Sequence, residues 1–101
     1  MITIRIDNNQ QEVTSGIPES WINQQINRRK ADGLDVCVTI TIKQGPLDML
    51  LSTPACHSGA TGRRPPNEHE QHVLDLWQKH HLTASDFSGG NVVAFLKELP
   101  R

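Results

Sequence analysis

The stretch that most constrains the fold is a pair of apolar segments separated by a short turn. The alternating run DVCVTITIK is followed by Gly45-Pro46 and then by LDMLLS. A two-residue turn at this Gly-Pro pair sets Ile42 opposite Met49, whereas a slip of one residue sets Ile42 opposite Asp48. We therefore predict a β-hairpin in the first register, because that register keeps the apolar side chains on one face of the sheet.

The residues before this hairpin predict a strand, a short return strand and a helix. Residues 2–6 (ITIRI) alternate strictly, and residues 11–14 (QEVT) follow a turn-forming Asp-Asn-Asn sequence. Pro18 suits the first turn of a helix, residues 28–30 (RRK) suit its last turn, and Gly33 is placed to end it.

Two further helices are predicted in the C-terminal third. Asn67 followed by Glu70 resembles a capping box, which marks the start of a helix. Its core-facing stripe is expected to consist of Val73, Leu74, Trp77 and His81. The pair Gly89-Gly90 is expected to break the chain before the last helix, whose apolar stripe is Val92, Phe95, Leu96 and Leu99.

The order of elements, β(β)αββ followed by two helices, predicts an α+β fold in a single domain spanning residues 1–101. We expect a small, mostly antiparallel sheet with the two C-terminal helices packed on it. This order is compatible with a β-grasp-like sheet. The content of hydrophobic residues, 36%, is sufficient for a globular core.

Leu76 and Val93 lie off the main stripes of their predicted helices, and two interpretations of them stay open. Either they form part of an exposed apolar strip, which would mark a partner or dimer surface, or the helices simply cover the sheet and bury them.

The segment with the most chemically interesting residues, named here the 53–67 segment, reads TPACHSGATGRRPPN. It shows no periodicity, and loops of this length in compact domains are usually functional or disordered. Gly59 and Gly62 allow backbone amides to turn toward a ligand, and Arg63 and Arg64 are forked donors for phosphate or carboxylate. The candidate binding residues are Arg63, Arg64, Gly59, Gly62, His57 and Asn67.

The motif-level signal in this segment is short. GATGRR lacks the GK[ST] ending of a phosphate-binding P-loop and does not match the GxGxxG pattern either. The alternative interpretation of the 53–67 segment is a surface connection with two solvated arginines.

The two cysteines, Cys37 and Cys56, are candidate thiols for redox chemistry, since extending the hairpin register brings them near each other. A zinc set of Cys56, His57, His69 and His72 can be imagined, but its spacing matches no standard finger or ribbon. We therefore predict no metal site and no cofactor.

The formal net charge of −1 offers no global field for DNA, and the last predicted helix is too apolar to read a major groove. The N-terminus lacks the pattern of a signal peptide, and no apolar run is long enough to span a bilayer. We expect a cytoplasmic protein that does not bind a membrane.

No catalytic constellation stands out, so the sequence favours a small non-enzymatic accessory or adaptor protein. We expect it to bind another macromolecule, first of all a protein, through the 53–67 segment and the adjoining helix; a homodimer is compatible with this. The alternative is a protein that binds a small anion, a nucleotide or another phosphorylated or acidic ligand through the Gly/Arg residues. A thiol-redox protein is the third hypothesis.

Overall fold

The computed structural model of the chain describes residues 1–13, 16–55, 67–84 and 86–99. These residues form a four-stranded antiparallel sheet with three helices packed on one of its faces. The predicted α+β class and the position of the two C-terminal helices on the sheet are therefore confirmed.

The strands are β1 (Ile2–Ile6), β2 (Asn9–Glu12), β3 (Val38–Gln44) and β4 (Leu47–Ser52). Their order in the sheet is β2-β1-β3-β4, and all three neighbouring pairs are antiparallel. The order of elements along the chain, which is compatible with a β-grasp-like sheet, specifies neither this strand order nor the direction of the central pair β1–β3, which is antiparallel. Strands β2 and β4 form the two edges.

The second hairpin has the predicted register, with Ile42 paired to Met49 and Ile40 paired to Leu51. Gly45 has φ +59, a left-handed conformation that glycine adopts without the steric cost of a Cβ atom. The first hairpin differs slightly from expectation, because β2 begins at Asn9 and not at Gln11. Its turn is tight, and Asp7 occupies the left-handed region at φ 53.

Alternation along the strands gives the sheet two different faces. The isoleucine face is buried and carries Ile2, Ile4, Ile6, Val38, Ile40 and Ile42. The open face carries Thr3, Arg5, Thr39, Thr41 and Lys43, all half-buried or exposed. This difference indicates that the helices pack on the isoleucine face.

The helices are α1 (Glu19–Ala31), α2 (Glu68–Lys79) and α3 (Gly89–Glu98). Helix α1 contacts β1, α2 contacts β4, and α3 lies between the two helices and contacts both. The rings of Trp77 and Phe95 meet edge to face where α2 packs on α3, with their centroids 5.2 Å apart. Helix α1 ends at Ala31, and Gly33, the residue predicted to end it, follows the C-cap Asp32 with φ +73.

Leu76 and Val93 are buried, with only 8% and 6% of their surfaces exposed. The exposed apolar strip that was one interpretation of these residues is therefore wrong. Helix α3 packs against α1 on one side and α2 on the other, so it needs a wider apolar face than a single stripe. The prediction that His81 belongs to the core-facing stripe of α2 is also wrong, because His81 lies beyond the end of α2 and is exposed.

The predicted break at Gly89-Gly90 is instead the first turn of α3, which Ser88 caps with its side chain. Gly89 is buried, and its nearest neighbours are atoms of Asn23 on α1. A Cβ atom at Gly89 would press on Oδ1 of Asn23 and lie 3.0 Å from its Cα. Glycine is required here because the backbones of two helices approach each other closely.

We predict that Gly89→Ala lowers the free energy of unfolding by about 2 kcal/mol, since the added methyl group must push α1 away from α3. The matched control is Gly90→Ala, whose Cβ meets nothing closer than Ser88 Oγ at 3.6 Å. Denaturant unfolding of both variants measures the difference. Equal stability of the two variants would show that the helix contact does not require Gly89.

Candidate functional site

The 53–67 segment leaves the sheet at Thr53, whose side chain is anchored to β3 and to the residues before it. Thr53 Oγ1 accepts a hydrogen bond from Val38 N at 3.0 Å and donates one to Val36 O at 3.3 Å. The Thr53 backbone N–H also donates to Val38 O at 3.0 Å. The first residue of the segment is thus held by both its backbone and its side chain.

The segment rejoins the fold at Asn67, where the predicted capping box is present. Asn67 Oδ1 accepts from Glu70 N at 2.8 Å, and Glu70 Oε1 accepts from Asn67 N at 3.1 Å. The capping residues also reach across to the β3–β4 turn. Asn67 Nδ2 donates to Pro46 O at 2.9 Å, and Glu70 Oε2 accepts from Asp48 N at 3.3 Å.

Thr53 and Glu70 share a property that sets them apart from the other polar side chains of the described chain. They are the buried polar residues of that part of the protein, with 2% and 3% of their surfaces exposed. Burying a hydroxyl or a carboxyl group costs free energy unless hydrogen bonds replace those made with water. Both groups have such bonds to backbone atoms, and both fix an end of the 53–67 segment.

The two anchor points lie at opposite ends of the edge strand β4. Thr53 follows the last residue of β4, whereas Asn67 is bonded to Pro46, just before its first residue. A strand of six residues is about 20 Å long at roughly 3.4 Å per residue. Residues 54–66 therefore connect two fixed points separated by the length of this edge strand.

Most of the binding residues predicted from the sequence lie outside the described residues; these are Arg63, Arg64, Gly59, Gly62 and His57. Asn67 is described, and its amide group is engaged in capping α2 and in the bond to Pro46. The structure thus gives Asn67 a structural role, and its predicted role in binding stays a prediction.

Cys37, the described member of the thiol pair, is half-buried and disulfide-bonded. The sequence has one other cysteine, Cys56, which lies outside the described residues. Val36 and Val38 on either side of Cys37 are buried, so alternation directs the Cys37 side chain toward the open face.

The imagined zinc set is described only in part. His69 and His72 are exposed on the first turns of α2, and Cys56 and His57 lie outside the described residues. Within the ranges that the structure describes, no three His, Cys, Asp or Glu side chains are grouped to hold a metal ion.

The start of α2 is already supplied with negative charge. Glu68 and Glu70 lie in its first turn, where carboxylates stabilise the positive end of the helix dipole. Two of its terminal amides are also taken, because Glu70 N donates to Asn67 Oδ1 and Asn67 N donates to Glu70 Oε1. This arrangement reduces the attraction of the helix terminus for an external anion.

The basic residues at the end of α1 are mostly used inside the fold. Arg29 forms an ion pair with Asp7 in the β1–β2 turn, and Lys30 Nζ donates to the carbonyl groups of Asp86 and Phe87. These long-range contacts connect α1 to two separate loops, whereas Arg28 is exposed.

A polar cluster that the sequence analysis missed joins the ends of α2 and α3. His80 Nε2 lies 2.7 Å from Glu98 Oε2, and Lys79 Nζ donates to Glu98 Oε1 at 3.3 Å. The hydrogen bond from His80 is the largest cause that lowers the pKa of Glu98, and Lys79 adds to it. No short-range pattern predicts this cluster, since its residues come from two helices.

Comparison of the chain with protein-family models, curated proteins and solved structures gives no match. None of the helices in the described ranges has the length and apolarity that crossing a membrane requires. The functional interpretation therefore depends on the residues of this chain.

We predict that Thr53→Val and Glu70→Gln each lower the free energy of unfolding by about 1–3 kcal/mol, because each removes a buried side-chain oxygen that accepts a hydrogen bond from a backbone N–H. The matched controls are Thr41→Val, on the open face, and Glu68→Gln, in the exposed first turn of α2. Surface changes of this kind alter stability by about 0.5 kcal/mol or less. Denaturant unfolding measures these changes. If the control variants lost as much free energy of unfolding as Thr53→Val and Glu70→Gln, the anchoring role of Thr53 and Glu70 would be contradicted.

We also predict a pH effect at Glu98. Because its pKa is lowered in the folded protein, the cluster stabilises the fold above the ordinary Glu pKa, and this stabilisation is lost as pH falls through the lowered value. Carbon-detected NMR titration should show the Glu98 pKa rising in His80→Ala, and by more than in Lys79→Ala. An unchanged Glu98 pKa in His80→Ala would show that the hydrogen bond with His80 is not the main cause of the lowered pKa.

Proposed function

We propose that the protein is a small accessory or adaptor protein that acts by binding another macromolecule, first of all a protein, and not by catalysis. The contact surface in this proposal is the 53–67 segment together with the start of α2. Arg63 and Arg64 are the side chains that we propose make the decisive contacts.

The observation that carries the proposal is that the two buried polar side chains, Thr53 and Glu70, both fix the ends of the 53–67 segment. Thr53 and Glu70 hold the two ends of one segment against the sheet, although burial of polar groups is otherwise avoided in this core. Fixed ends limit the conformations open to the residues between them, and this reduces the entropy lost when those residues bind a partner.

The alternative, a small-anion or nucleotide site, has less support from the described residues. Arg63 and Arg64 suit such a ligand chemically. However, the first turn of α2 already carries the exposed carboxylate of Glu68. An anion that approached this turn would meet negative charge, which leaves a macromolecular partner as the better-supported proposal.

The test is affinity capture from lysate of the source cells, followed by mass spectrometry, with and without nuclease. The wild type is compared with Arg63→Ala/Arg64→Ala and with a control that removes the same charge elsewhere, Arg28→Ala/Lys43→Ala. Both control residues are exposed, Arg28 on α1 and Lys43 on the open face of β3. We expect the wild type to capture a protein whether or not nuclease is added. This capture should be lost in Arg63→Ala/Arg64→Ala and kept in the control variant.

Capture of the same proteins by all three baits would contradict the proposed contact. The anion alternative is tested on the same samples by thermal unfolding with phosphate or nucleotides. A ligand that binds the native state raises its stability by RT ln(1 + [L]/Kd). Stabilisation that disappears in Arg63→Ala/Arg64→Ala, without any captured protein, would favour the alternative.

A further inference from the structure

The outer edge of β2 is a row of backbone groups that no other strand pairs with in the part of the chain that the structure describes. Val13 N donates to Ile2 O. Hydrogen bonding alternates along an antiparallel pair, so Gln11, two residues before Val13, also bonds to β1. The N–H and C=O groups of Gln10 and Glu12 therefore point away from β1. All residues of β2 are exposed.

This edge lacks the features that usually keep an edge strand from pairing with another chain. Its sequence, NQQE, contains no lysine and no proline, and its register with β1 runs without a bulge. Such an edge can extend its sheet by one more strand. The occupant of this edge is therefore expected to be a strand.

We propose that β2 pairs with β2 of a second copy of this chain, antiparallel and about a two-fold axis. In the register that places Gln11 opposite its own copy, Gln10 of each chain lies opposite Glu12 of the other. Both outward-facing residues of each strand then exchange hydrogen bonds with the other strand. A register centred on Gln10 would pair Glu12 with Asn8 in the turn, and one centred on Glu12 would set two carboxylates opposite each other.

The charges on the open face favour a second copy in this register. Within each chain Arg5 lies opposite Gln10, and Glu12 lies opposite Thr3, so these side chains all lie on the open face. Pairing the two edges adds Glu12 of one chain to the row that holds Gln10 and Arg5 of the other. This Glu12 and Arg5 are then two strands apart, about 10 Å between Cα atoms, which their long side chains can span. The symmetry repeats the attraction on the other side of the axis.

The face of α1 next to β2 gives a second reason. Asn9 Nδ2 donates to Gln25 Oε1 at 3.2 Å, so this face of α1 lies beside β2. Trp21 is one turn before Gln25 on the same face and is only half-buried, as is Val13 after the end of β2. A second copy would bring its own α1 alongside and cover these apolar side chains. Aromatic residues are enriched at such interfaces.

The dimer would carry a continuous sheet in the order β4-β3-β1-β2-β2-β1-β3-β4. Its two outer edges are the β4 strands, beside which Thr53 and Asn67 fix the ends of the 53–67 segment. The dimer contact thus uses the opposite edge of the sheet from these anchors, and either proposal can fail without the other.

Hydrogen exchange followed by NMR tests the pairing directly, at protein concentrations from about 1 μM to about 1 mM, which cover dissociation constants in that range. The amides of Gln10 and Glu12 should become at least about tenfold more protected as the dimer forms. The Gln11 amide, which bonds to β1, is the internal reference and should be protected at every concentration. Gln10 and Glu12 amides that exchange at the rate of an unprotected peptide throughout would overturn the proposal.

Sedimentation equilibrium of two variants tests the use of this edge. Gln10→Pro removes an outward N–H at an edge position that tolerates proline. The dissociation constant of the dimer should rise on the order of tenfold or more, because symmetry removes the hydrogen bond twice. The matched control, Gln10→Thr, keeps the N–H and should dimerise nearly as the wild type does. Circular dichroism checks that both variants fold, and an unchanged dissociation constant in folded Gln10→Pro would overturn the contact.

Charge variants test the occupant. Glu12→Lys alone and Arg5→Glu alone should each weaken self-association, because each sets like charges near each other across the axis. An equimolar mixture of the two variants should recover a heterodimer, since opposite charges then meet on both sides of the axis. A mixture that associates no better than either variant alone would overturn the pairing. A wild type that stays monomeric but captures another protein through β2 would overturn the second copy as the occupant.

Discussion

The carboxyl group of Glu70 is the point on which the arrangement of helices and sheet most depends. It accepts one hydrogen bond from the backbone N–H of Asn67, the residue that caps α2. It accepts another from the backbone N–H of Asp48 in the edge strand β4. A buried carboxyl group needs such partners, because burial without them costs several kcal/mol. The same side chain thus starts α2 and fixes that start against β4, so helix position and strand position are set together.

This contact links local structure to the candidate site. Thr53 performs the equivalent task at the other end of β4, where its hydroxyl group bonds to Val36 and Val38. The core beneath consists of aliphatic and aromatic side chains, which pack without directional constraints. The directional bonds are needed where a long connection leaves and rejoins the fold, since apolar packing alone does not specify the two ends of that connection.

The sequence predicted the features that depend on short-range rules. The hairpin register follows from alternation and a two-residue turn, and the Asn67–Glu70 capping box follows from spacing along one helix. The bond from Glu70 to Asp48 was not predictable, because it depends on how α2 packs beside β4. The burial of Val93 stayed open for the same reason, since a stripe on one helix does not reveal that helices pack on both of its sides.

The central claim is that Glu70 holds the start of α2 against the edge strand, and native-state hydrogen exchange tests it directly by NMR. In the wild type, the amides of Asp48 and Asn67 should be protected. In Glu70→Gln, both should exchange on the order of tenfold faster, a larger change than at the Val38 amide, which Thr53 holds independently. An Asp48 amide that exchanges at the rate of an unprotected peptide in the wild type would contradict the account.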